Sequence, residues 1–510
     1  MKTRIVLLQI LLMLGFGISS AQKAPLKWGK ILPKDTSMTV YAADPKATAV
    51  VLCDYGTADV GSRTEYTRHV RIKILKNDGI KYADVEIPFR YTNHYDEIMG
   101  LKAHTINVLA NGKLGISKVK NKNIEEIQVD RWNKKRTIHF PDVKVGSIIE
   151  YSYTLRSYDL VKLRNWYFQT TIPVMWSEYR VYVSKRFNYL VTFQKGRALD
   201  YDEQKGFSEK LQWLYNTKER KAIQELLGKK YVLYESPKGT MKVYYAYGES
   251  YTFIMNDMPA FEPQRGVLAL TDFYPVVKVH LYLADGNYPY YYRKILASAK
   301  EDYDWDNNSY FYNNSMIGYV AYWLPTWEEA VKTWLESDRF GNRMIKAVDY
   351  KMVFDKAFGA EASETEKIKG IYQYVKENVQ WDGSYSMYAD RDLKDVMQKK
   401  SGSSGEINLL LINLLKRAGV EVKPILIRTL DQGRPENIYP LHNQFNQVIA
   451  MVQTNGQTLF LDASGKNSSF SNLPWNINKA EGFLLVKGAY KWVDVVNIQK
   501  PTMQANAIQM

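Results

Sequence analysis

The stretch "KSGSSGEINLLLINLLKRAGVEVKPILIRT", residues 400–429, decides the fold of the C-terminal half of the chain. Its glycine-flanked serines form a short loop, and the apolar run that follows predicts a helix over about residues 404–418. Gly419 is placed to end that helix, and "VKPILIRT" then predicts a strand. The loop therefore ends at a helix N-terminus, where free N–H groups favour a nucleophile, yet it offers only serines.

Helices precede this stretch and strands follow it. Thr326 is the predicted N-cap of "TWEEAVKTWLE", and Glu329 completes a capping box. Apolar residues recur at helical spacing in "TEKIKGIYQYVKENV"; they are Ile368, Ile371, Tyr372, Val375 and Val379. Downstream, "FNQVIAMVQ" and "QTLFLDA" flank Asn455-Gly456, a two-residue hairpin signal. Helices followed by antiparallel strands predict an α+β domain.

The N-terminal half, from about residue 24 to 265, shows the two-residue period of strands. In "HVRIKIL", Val70, Ile72 and Ile74 share one face. "INVLANGKL" carries an Asn111-Gly112 hairpin signal, and "IIEYSYTL" alternates large apolar or aromatic residues with polar ones. The pattern predicts an antiparallel, sandwich-like β-domain. A polar, lysine-rich stretch between about 200 and 240 includes a predicted short helix at "KAIQELL".

Length and composition indicate a multidomain exported protein. A chain of 510 residues is long enough for two or three domains, and 45% hydrophobic with 24% charged residues is typical of folded proteins. Lys2 and Arg4 precede an apolar run, so residues 1–21 are predicted to be a signal peptide cleaved after Ala21. No later stretch reaches the ~18 apolar residues that a membrane span needs. We expect a periplasmic or secreted protein without a stable membrane span after signal removal.

The charge and the single cysteine restrict the function classes. The formal charge is +15, and loss of Lys2 and Arg4 leaves +13. Such a protein can bind acidic envelope polymers, but no block of about five or six like charges occurs, which favours a dispersed, solvated surface. Nucleic acid is not an expected partner of an exported chain. Cys53, in "AVVLCDY", has no second cysteine to pair with, and its neighbours predict a buried, inert thiol.

Three short motifs follow one another in the C-terminal half: Gly402-Ser403-Ser404-Gly405-Glu406, Phe445-Asn446-Gln447-Val448 and Phe460-Leu461-Asp462-Ala463. In this order they resemble the transglutaminase-like superfamily, whose relatives include cysteine proteases and amidases. The resemblance implies a transglutaminase/papain-like α+β core over about residues 320–490. It places the nucleophile at position 404, the base at 447 and the carboxylate that orients the base at 462.

The β-rich half resembles a domain of unknown function that precedes such a core in many bacterial envelope proteins. The expected organisation is a signal peptide at 1–21, a β-rich domain at 22–270 and a transglutaminase-like domain at 271–510. The expected fold class is therefore multidomain: a β-domain followed by an α+β domain.

Strand pairing agrees with this assignment. With a two-residue turn at Asn455-Gly456, residue 449 lies opposite 462 and residue 447 opposite 464. Positions 447 and 462 then share a face as diagonal neighbours, ~7–8 Å apart. A histidine at 447 could be oriented by Asp462, and a helix N-terminus at 404 would support a thiolate.

The residues that such chemistry needs are absent. Positions 403 and 404 are both serine, and position 447 is glutamine, which cannot accept and release a proton near neutral pH. A serine without a base is a weak nucleophile. The nearest histidine, His442, is expected in a loop after Pro440 rather than as a base for Ser404. The sequence therefore predicts a degenerate triad, Ser404, Gln447 and Asp462.

The remaining residues of the three motifs have expected roles as well. Glu406 is expected to stabilise the helix dipole rather than to act as a base, and Asp462 to hydrogen-bond Gln447 or solvent. A substrate cleft is predicted between the start of the 404–418 helix and the 445–463 hairpin. Its predicted lining residues are Gly402, Ser403, Glu406, Asn446 and His442.

A second candidate site lies in "EDYDWDNNSYFYNN". Asp302, Asp304 and Asp306 have calcium-loop spacing, but Asn307 and Asn313 stand where such a loop has glycine and glutamate. The favoured interpretation is a polar, aromatic-rich surface loop, whose tyrosines pack on the sheet or stack on sugar rings. The sequence has no P-loop, dinucleotide fingerprint or cysteine–histidine cluster, so no cofactor is expected.

The expected function is binding or assembly at the cell envelope by a catalytically inactive protein of the transglutaminase/cysteine-protease class. The partner would be an envelope protein, a peptide or a glycan. Two alternatives stay open: an active amidase or peptidase that uses Ser404, and a glycan-binding envelope protein.

Overall fold

The computed structural model describes twelve ranges of the chain: 24–60, 63–92, 95–158, 163–183, 189–194, 231–236, 239–246, 250–263, 268–281, 327–435, 444–465 and 468–496. The predicted signal peptide, the "KAIQELL" helix, Thr326, His442 and the Asp302–Asp304–Asp306 loop lie outside these ranges.

The N-terminal half is built from strands, preceded by one short helix, α1 (Pro33–Ser37). The strands are β1 (Ala49–Val60), β2 (Thr64–Ile74), β3 (Asp84–Arg90), β4 (Asp96–Val108), β5 (Leu114–Lys118), β6 (Ile124–Gln128), β7 (Asn133–His139), β8 (Ile148–Ser157), β9 (Trp166–Tyr167), β10 (Val174–Val183), β11 (Tyr189–Gln194), β12 (Tyr231–Ser236), β13 (Gly239–Ala246), β14 (Ser250–Met258) and β15 (Val276–Leu281). They form a nine-stranded sheet in the order β12-β13-β14-β10-β1-β2-β8-β4-β5, and two three-stranded sheets, β3-β7-β6 and β11-β15-β9.

One face of the large sheet packs against the smaller sheets, as the alternation of apolar residues predicts. Val70, Ile72 and Ile74 of β2 lie in one core with Ile87 of β3 and Val277 of β15. A β-rich half with a sandwich-like arrangement is thereby confirmed. One pairing departs from the antiparallel pattern, because β1 and β10 pair in parallel. Cys53 is buried on β1, as expected, and burial raises the pKa of its thiol.

The opposite face of the large sheet contains a buried ionic cluster. Glu150 of β8, which the alternation places opposite the apolar face, has no solvent exposure. Its carboxylate lies 2.6 Å from Arg71 Nη2 and 2.8 Å from the Nε2 atoms of both His69 and His104. The ring of Trp28 stacks on His104 at 4.4 Å between centroids, so the N-terminal segment covers the cluster. Burial alone would raise the pKa of Glu150. The hydrogen bonds from His104, His69 and Arg71 outweigh the effect of burial and lower the pKa.

The C-terminal half mixes helices with a five-stranded sheet. The helices are α2 (Trp327–Glu336), α3 (Lys351–Ala357), α4 (Glu364–Asn378), α5 (Leu393–Lys399) and α6 (Ser404–Arg417). The strands are β16 (Gln380–Trp381), β17 (Ser401–Gly402), β18 (Val422–Ile427), β19 (Gln447–Thr454), β20 (Gln457–Leu461), β21 (Ala480–Val486) and β22 (Ala489–Val495). The sheet order is β20-β19-β18-β21-β22, and β16 and β17 form a separate pair. This α+β arrangement confirms the predicted fold class.

Helix α6 is the central element of this half. Its residues from Ser404 to Leu415 are all buried, because α6 packs between helix α4 and strand β19. Gly419 follows it with φ of +82°, a left-handed conformation that suits glycine and ends the helix as predicted. The apolar stripe of α4 is buried against α6, also as predicted.

The hairpin β19–β20 has the predicted register. Thr454 pairs with Gln457 across the Asn455-Gly456 turn, and Ala450 pairs with Leu461. Both turn residues have positive φ, 50° and 73°, as a two-residue hairpin turn requires. Continuing the register places residue 447 opposite 464 and 449 opposite 462, as the sequence predicts.

The two halves of the chain meet around helix α6. Arg131, in the connection between β6 and β7, contacts residues at the start of α6, and Asp272 accepts a hydrogen bond from the amide of Arg434. Strand β15 pairs with β9 and β11 of the N-terminal half, although it lies beyond the expected domain boundary at residues 270–271.

We expect Glu150→Gln to lower the free energy of unfolding by about 3–5 kcal/mol. The substitution keeps the shape of the side chain but leaves Arg71 with an unpaired charge in a buried site. Urea denaturation of the purified variant measures the loss. Glu65→Gln is the matched control, because Glu65 pairs with Arg156 at the surface and such pairs contribute about 0–1 kcal/mol. Equal losses in the two variants would contradict the importance of the cluster.

Candidate functional site

The start of helix α6 is closed by a capping box. Ser403 is the N-cap, and its hydroxyl accepts a hydrogen bond from the Glu406 amide at 3.3 Å. Glu406 in turn accepts a hydrogen bond from the Ser403 amide at 2.9 Å. The two residues satisfy each other's free groups, which is the local reason the helix begins at Ser404. Ser403 therefore has a structural role, and it has no solvent exposure.

A neighbouring segment lies directly against the first turn of α6. A Cβ atom on Gly405 would lie 2.5 Å from the Tyr388 carbonyl oxygen and 2.6 Å from that of Ser386. Only glycine permits this approach of two backbones. The Ser404 amide donates to the Ser384 carbonyl at 3.0 Å, so residues 384–388 take up an amide that would otherwise be free at the helix end.

The hydroxyl of Ser404 is engaged by the same segment. Its Oγ accepts a hydrogen bond from the Ser386 amide at 3.0 Å and donates to the Ser386 carbonyl at 3.2 Å. Ser404 has no solvent exposure. Within the described ranges, no imidazole or lysine amine hydrogen-bonds this hydroxyl, so none of the described side chains is placed to take its proton.

Glu406 is the most strongly bound carboxylate of the region. Arg131 donates from Nη1 and Nη2 to its two oxygens, each at 3.0 Å, and Arg391 Nη2 donates at 2.6 Å. Burial would raise the pKa of Glu406, but the hydrogen bonds from Arg391, Arg131 and the Ser403 amide outweigh it and lower the pKa to about 2. Glu406 lies in the first turn of α6, where the sequence predicts that it stabilises the helix dipole, and Arg131 adds an ion pair to the N-terminal half.

Gln447, at the position of the base, begins strand β19 and is fully buried. Its Nε2 donates to Ser464 Oγ at 3.4 Å. Its Oε1 is buried without a hydrogen-bond partner among the described residues. An uncharged amide of this kind can hold a position in the core, but it cannot carry a proton between pH 5 and 8.

Asp462, at the position of the orienting carboxylate, is held by two other side chains. Its Oδ1 accepts hydrogen bonds from Asn408 Nδ2 at 2.7 Å and from Ser464 Oγ at 2.6 Å. In the described part of the chain, the expected direct bond to Gln447 is absent, because Ser464 lies between the two side chains. Its Oδ2 is buried without a partner there. Sequence reasoning missed Asn408, which lies one helical turn after Ser404 and faces the hairpin.

A cavity of about 130 Å³ lies beside Asp462. It is lined by Trp381, Tyr385, Asp462, Ser464, Gly465, Pro474, Trp475 and Asn476. The predicted cleft residues Gly402, Ser403, Glu406 and Asn446 do not line it. Asn446 instead exchanges hydrogen bonds with Thr429 at 2.8 and 2.9 Å. This cavity thus lies beside Asp462, and the predicted cleft between the start of α6 and the hairpin stays a prediction.

No sequence motif marked the aromatic residues that line this cavity, Trp381, Tyr385 and Trp475. The one available signal was "QWDGSY" at 380–385, a short polar and aromatic segment directly after helix α4. In the described ranges, no group of three histidine, cysteine, aspartate or glutamate side chains is arranged to hold a metal ion. No helix in those ranges is both long and apolar enough to cross a bilayer.

Comparison with known families agrees with this two-part architecture. Residues 62–219 match the model of a domain of unknown function with a solved structure (DUF3857), and residues 352–462 match the transglutaminase-like superfamily. Among solved structures, the chain is similar to the crystal structure of "a putative protease" from Parabacteroides distasonis, with a TM-score of 0.52 and 12% identity. That similarity covers 88% of this chain and 72% of the other. No curated protein matches the chain.

We expect Gly405→Ala to destabilise the protein by about 1–3 kcal/mol or more, because the added methyl group meets two carbonyl oxygens of a packed backbone. Thermal and urea unfolding measure the effect. Gly359→Ala is the control, since a Cβ atom there meets no atom within 4 Å. If both variants unfold like the parent protein, the tight approach of residues 386–388 to α6 is not maintained in solution.

We expect the ion pairs of Glu406 to make stability depend on pH below about 4.5. The folded-state pKa of about 2 lies below the ordinary value of 4.5, so the stabilisation is complete above pH 4.5 and lost as pH falls towards 2. A shift of this size corresponds to about 3 kcal/mol. Glu406→Gln should therefore be less stable at neutral pH and show a shallower loss of stability between pH 4.5 and 2.

Urea denaturation at a series of pH values tests this expectation. The control is Glu421→Gln, which removes an exposed carboxylate that pairs with Lys423. Parallel pH profiles for Glu406→Gln and the parent protein would show that Glu406 does not dominate this pH dependence.

Proposed function

We propose that this chain, a DUF3857 domain followed by a transglutaminase-like core, is catalytically inactive and acts by binding or assembly at the cell envelope. The C-terminal half has the fold of a transglutaminase-like, protease-like core. We propose that the protein has no catalytic activity, that it lies at the cell envelope, and that it acts there by binding or assembly.

The observation that carries the proposal is the environment of Ser404. Its hydroxyl donates to one backbone carbonyl and accepts from one backbone amide of Ser386, and it is fully buried. To attack a substrate, the hydroxyl would have to lose both hydrogen bonds and become accessible. It would also need a base within hydrogen-bonding reach, which the described residues do not supply.

The surrounding residues support the same conclusion. Gln447 occupies the base position and cannot shuttle a proton. Asp462 hydrogen-bonds Asn408 and Ser464 instead of orienting a base. Because a nucleophile and its base act as a unit, the loss of both leaves at most weak effects of binding groups.

A role in binding or assembly is supported by how the helix start is used. In an active thiol enzyme this end of the helix stabilises a thiolate and stays open to substrate. Here Glu406 and Arg131 join it to the N-terminal half through a buried ion pair. The start of helix α6 thus connects the two halves of the chain instead of contacting a substrate.

The proposed location follows from the sequence. A basic N-terminus, an apolar run and small residues ending at Ala21 fit a signal peptide. We propose export to the periplasm or the exterior, with an envelope protein, peptide or glycan as partner. Fractionation of cells expressing the tagged chain tests this, and retention of the full-length precursor in the cytoplasm would contradict it.

We expect the purified protein to show no transamidase, amidase or peptidase activity, and Ser404→Ala to match the parent protein in every activity assay. A fluorophosphonate probe, which labels activated serines, should leave Ser404 unmodified because its hydroxyl lacks a base. Labelling is read by intact-protein mass spectrometry. Specific labelling of Ser404, or turnover that Ser404→Ala abolishes, would establish the alternative of a working serine amidase or peptidase.

A restoring variant separates a degenerate site from an unrelated one. Ser404→Cys combined with Gln447→His rebuilds the thiol and the imidazole on the existing scaffold. Gain of thiol-dependent hydrolysis in the double variant, with none in either single variant, supports descent from an active site. The single variants control for changes in folding, which circular dichroism and thermal unfolding monitor.

A further inference from the structure

The cavity beside Asp462 is small and has one charged wall. Its volume of about 130 Å³ is well above the room that one water needs, yet below that of sites for drug-sized ligands. It therefore suits a compact chemical group rather than a long one. Trp475 is 60% exposed, which places it at the mouth, whereas Asp462 is 1% exposed and lies at the base.

Asp462, which lines this cavity, has one carboxylate oxygen without a hydrogen-bond partner among the described residues. Oδ1 is engaged by Asn408 and Ser464, while Oδ2 is buried and has no hydrogen-bond partner among the described residues. A buried polar atom without a partner is costly, and more so when it is charged, so such atoms are rarely left unused. Because Asn408 and Ser464 fix Oδ1, Oδ2 is held in place.

The charges around the cavity favour a cation. Asp431 is a second carboxylate nearby, and its Oδ1 is also buried without a partner in the described ranges. Burial raises the pKa of Tyr385, and the charges of Asp431 and Asp462 raise it further. Lys376 is the cation close to Asp462, but its Nζ donates to the Gly465 carbonyl at 2.7 Å and to Ser468 at 3.1 Å. Among the described residues, two carboxylates and one ammonium that is already hydrogen-bonded give this region a net negative charge.

Three aromatic residues, Trp381, Tyr385 and Trp475, also line the cavity. The rings of Trp381 and Tyr385 lie 5.0 Å apart at an angle of 57°, so they form two sides of a corner. Trp381 Nε1 donates to the Ser384 carbonyl at 2.9 Å, and Tyr385 accepts from Asn476 at 2.9 Å, which fixes both rings. Faces of tryptophan and tyrosine attract cations, most strongly where water is excluded.

We infer that the cavity formed by Asp462, Trp381, Tyr385 and Trp475 binds a compact organic ammonium group. The inference rests on the proposed function, since it makes this cavity the binding site of a protein that does not turn over its ligand. The carboxylate supplies the opposite charge, and the rings supply an apolar surface that accepts a cation. The two carboxylates would repel an anionic group. A neutral group would leave the negative charge of Asp462 without a counter-charge.

Saturation-transfer NMR on the full mature chain tests the inference with defined probes. Tetramethylammonium and methylammonium are the cations, and tert-butanol is the neutral analogue of similar size; sodium chloride keeps the ionic strength constant. We expect saturable binding of an ammonium probe and none of tert-butanol. If methylammonium binds more tightly, hydrogen bonding to Asp462 dominates; if tetramethylammonium does, the rings dominate.

Three variants locate the site. Asp462→Asn keeps the size of the side chain and the acceptor for Asn408, and it should weaken ammonium binding at least tenfold. Trp475→Ala changes an exposed side chain, so the fold is not at risk, and it should weaken binding several-fold. Glu421→Gln removes one surface carboxylate elsewhere and should leave binding unchanged.

Absence of saturable binding, equal binding of tert-butanol, or unchanged affinity in both Asp462→Asn and Trp475→Ala would overturn the inference. The binding result does not depend on whether the protein is catalytic, because tetramethylammonium carries no N–H and cannot serve as an amine substrate. Turnover by the native protein would overturn the proposed function while leaving the ammonium site standing. Failure of ammonium binding alone would leave the proposed inactivity untouched.

Discussion

The start of helix α6 depends on the carboxylate of Glu406, which is buried and receives hydrogen bonds from Ser403, Arg391 and Arg131. A buried charge is tolerated only when it is paired and hydrogen-bonded, so this one group requires all three partners to be in place. Arg131 comes from the N-terminal half, 275 residues away in the chain. This pairing therefore helps to hold the helix against the distant β-domain, together with the hydrogen bond between Asp272 and Arg434.

That constraint also explains why the site differs from an open catalytic cleft. Because residue 405 is glycine, residues 386–388 can lie against the helix. The Ser386 amide of the same segment donates a hydrogen bond to the hydroxyl of Ser404. Asp462, by contrast, lines a cavity together with three aromatic residues. The two positions thus differ in their surroundings, since Ser404 is hydrogen-bonded to Ser386 and Asp462 has a cavity beside it.

Several elements could be predicted because their signals are local. The bounds of α6 follow from its cap at Ser403 and from Gly419, and the register of β19–β20 follows from the two-residue turn at Asn455-Gly456. The contacts of the predicted triad positions could not be predicted in this way, because they depend on residues elsewhere in the chain. Short motifs indicate which residues descend from a catalytic triad, but side chains such as Asn408 and Ser464, outside the motif positions, decide what each one contacts.

By itself, the sequence determined the β-rich half, the α+β half and the helix start at 404, because periodicity, caps and turn residues act between near neighbours. Only the tertiary structure decided that β1 pairs in parallel with β10, that Glu150 is buried among His69 and Arg71, and that Arg131 reaches Glu406. These outcomes depend on which distant segments are brought together to cover a polar group. Periodicity reports that a position is buried or exposed, whereas the partner of a buried charge is set by the packing of the whole chain.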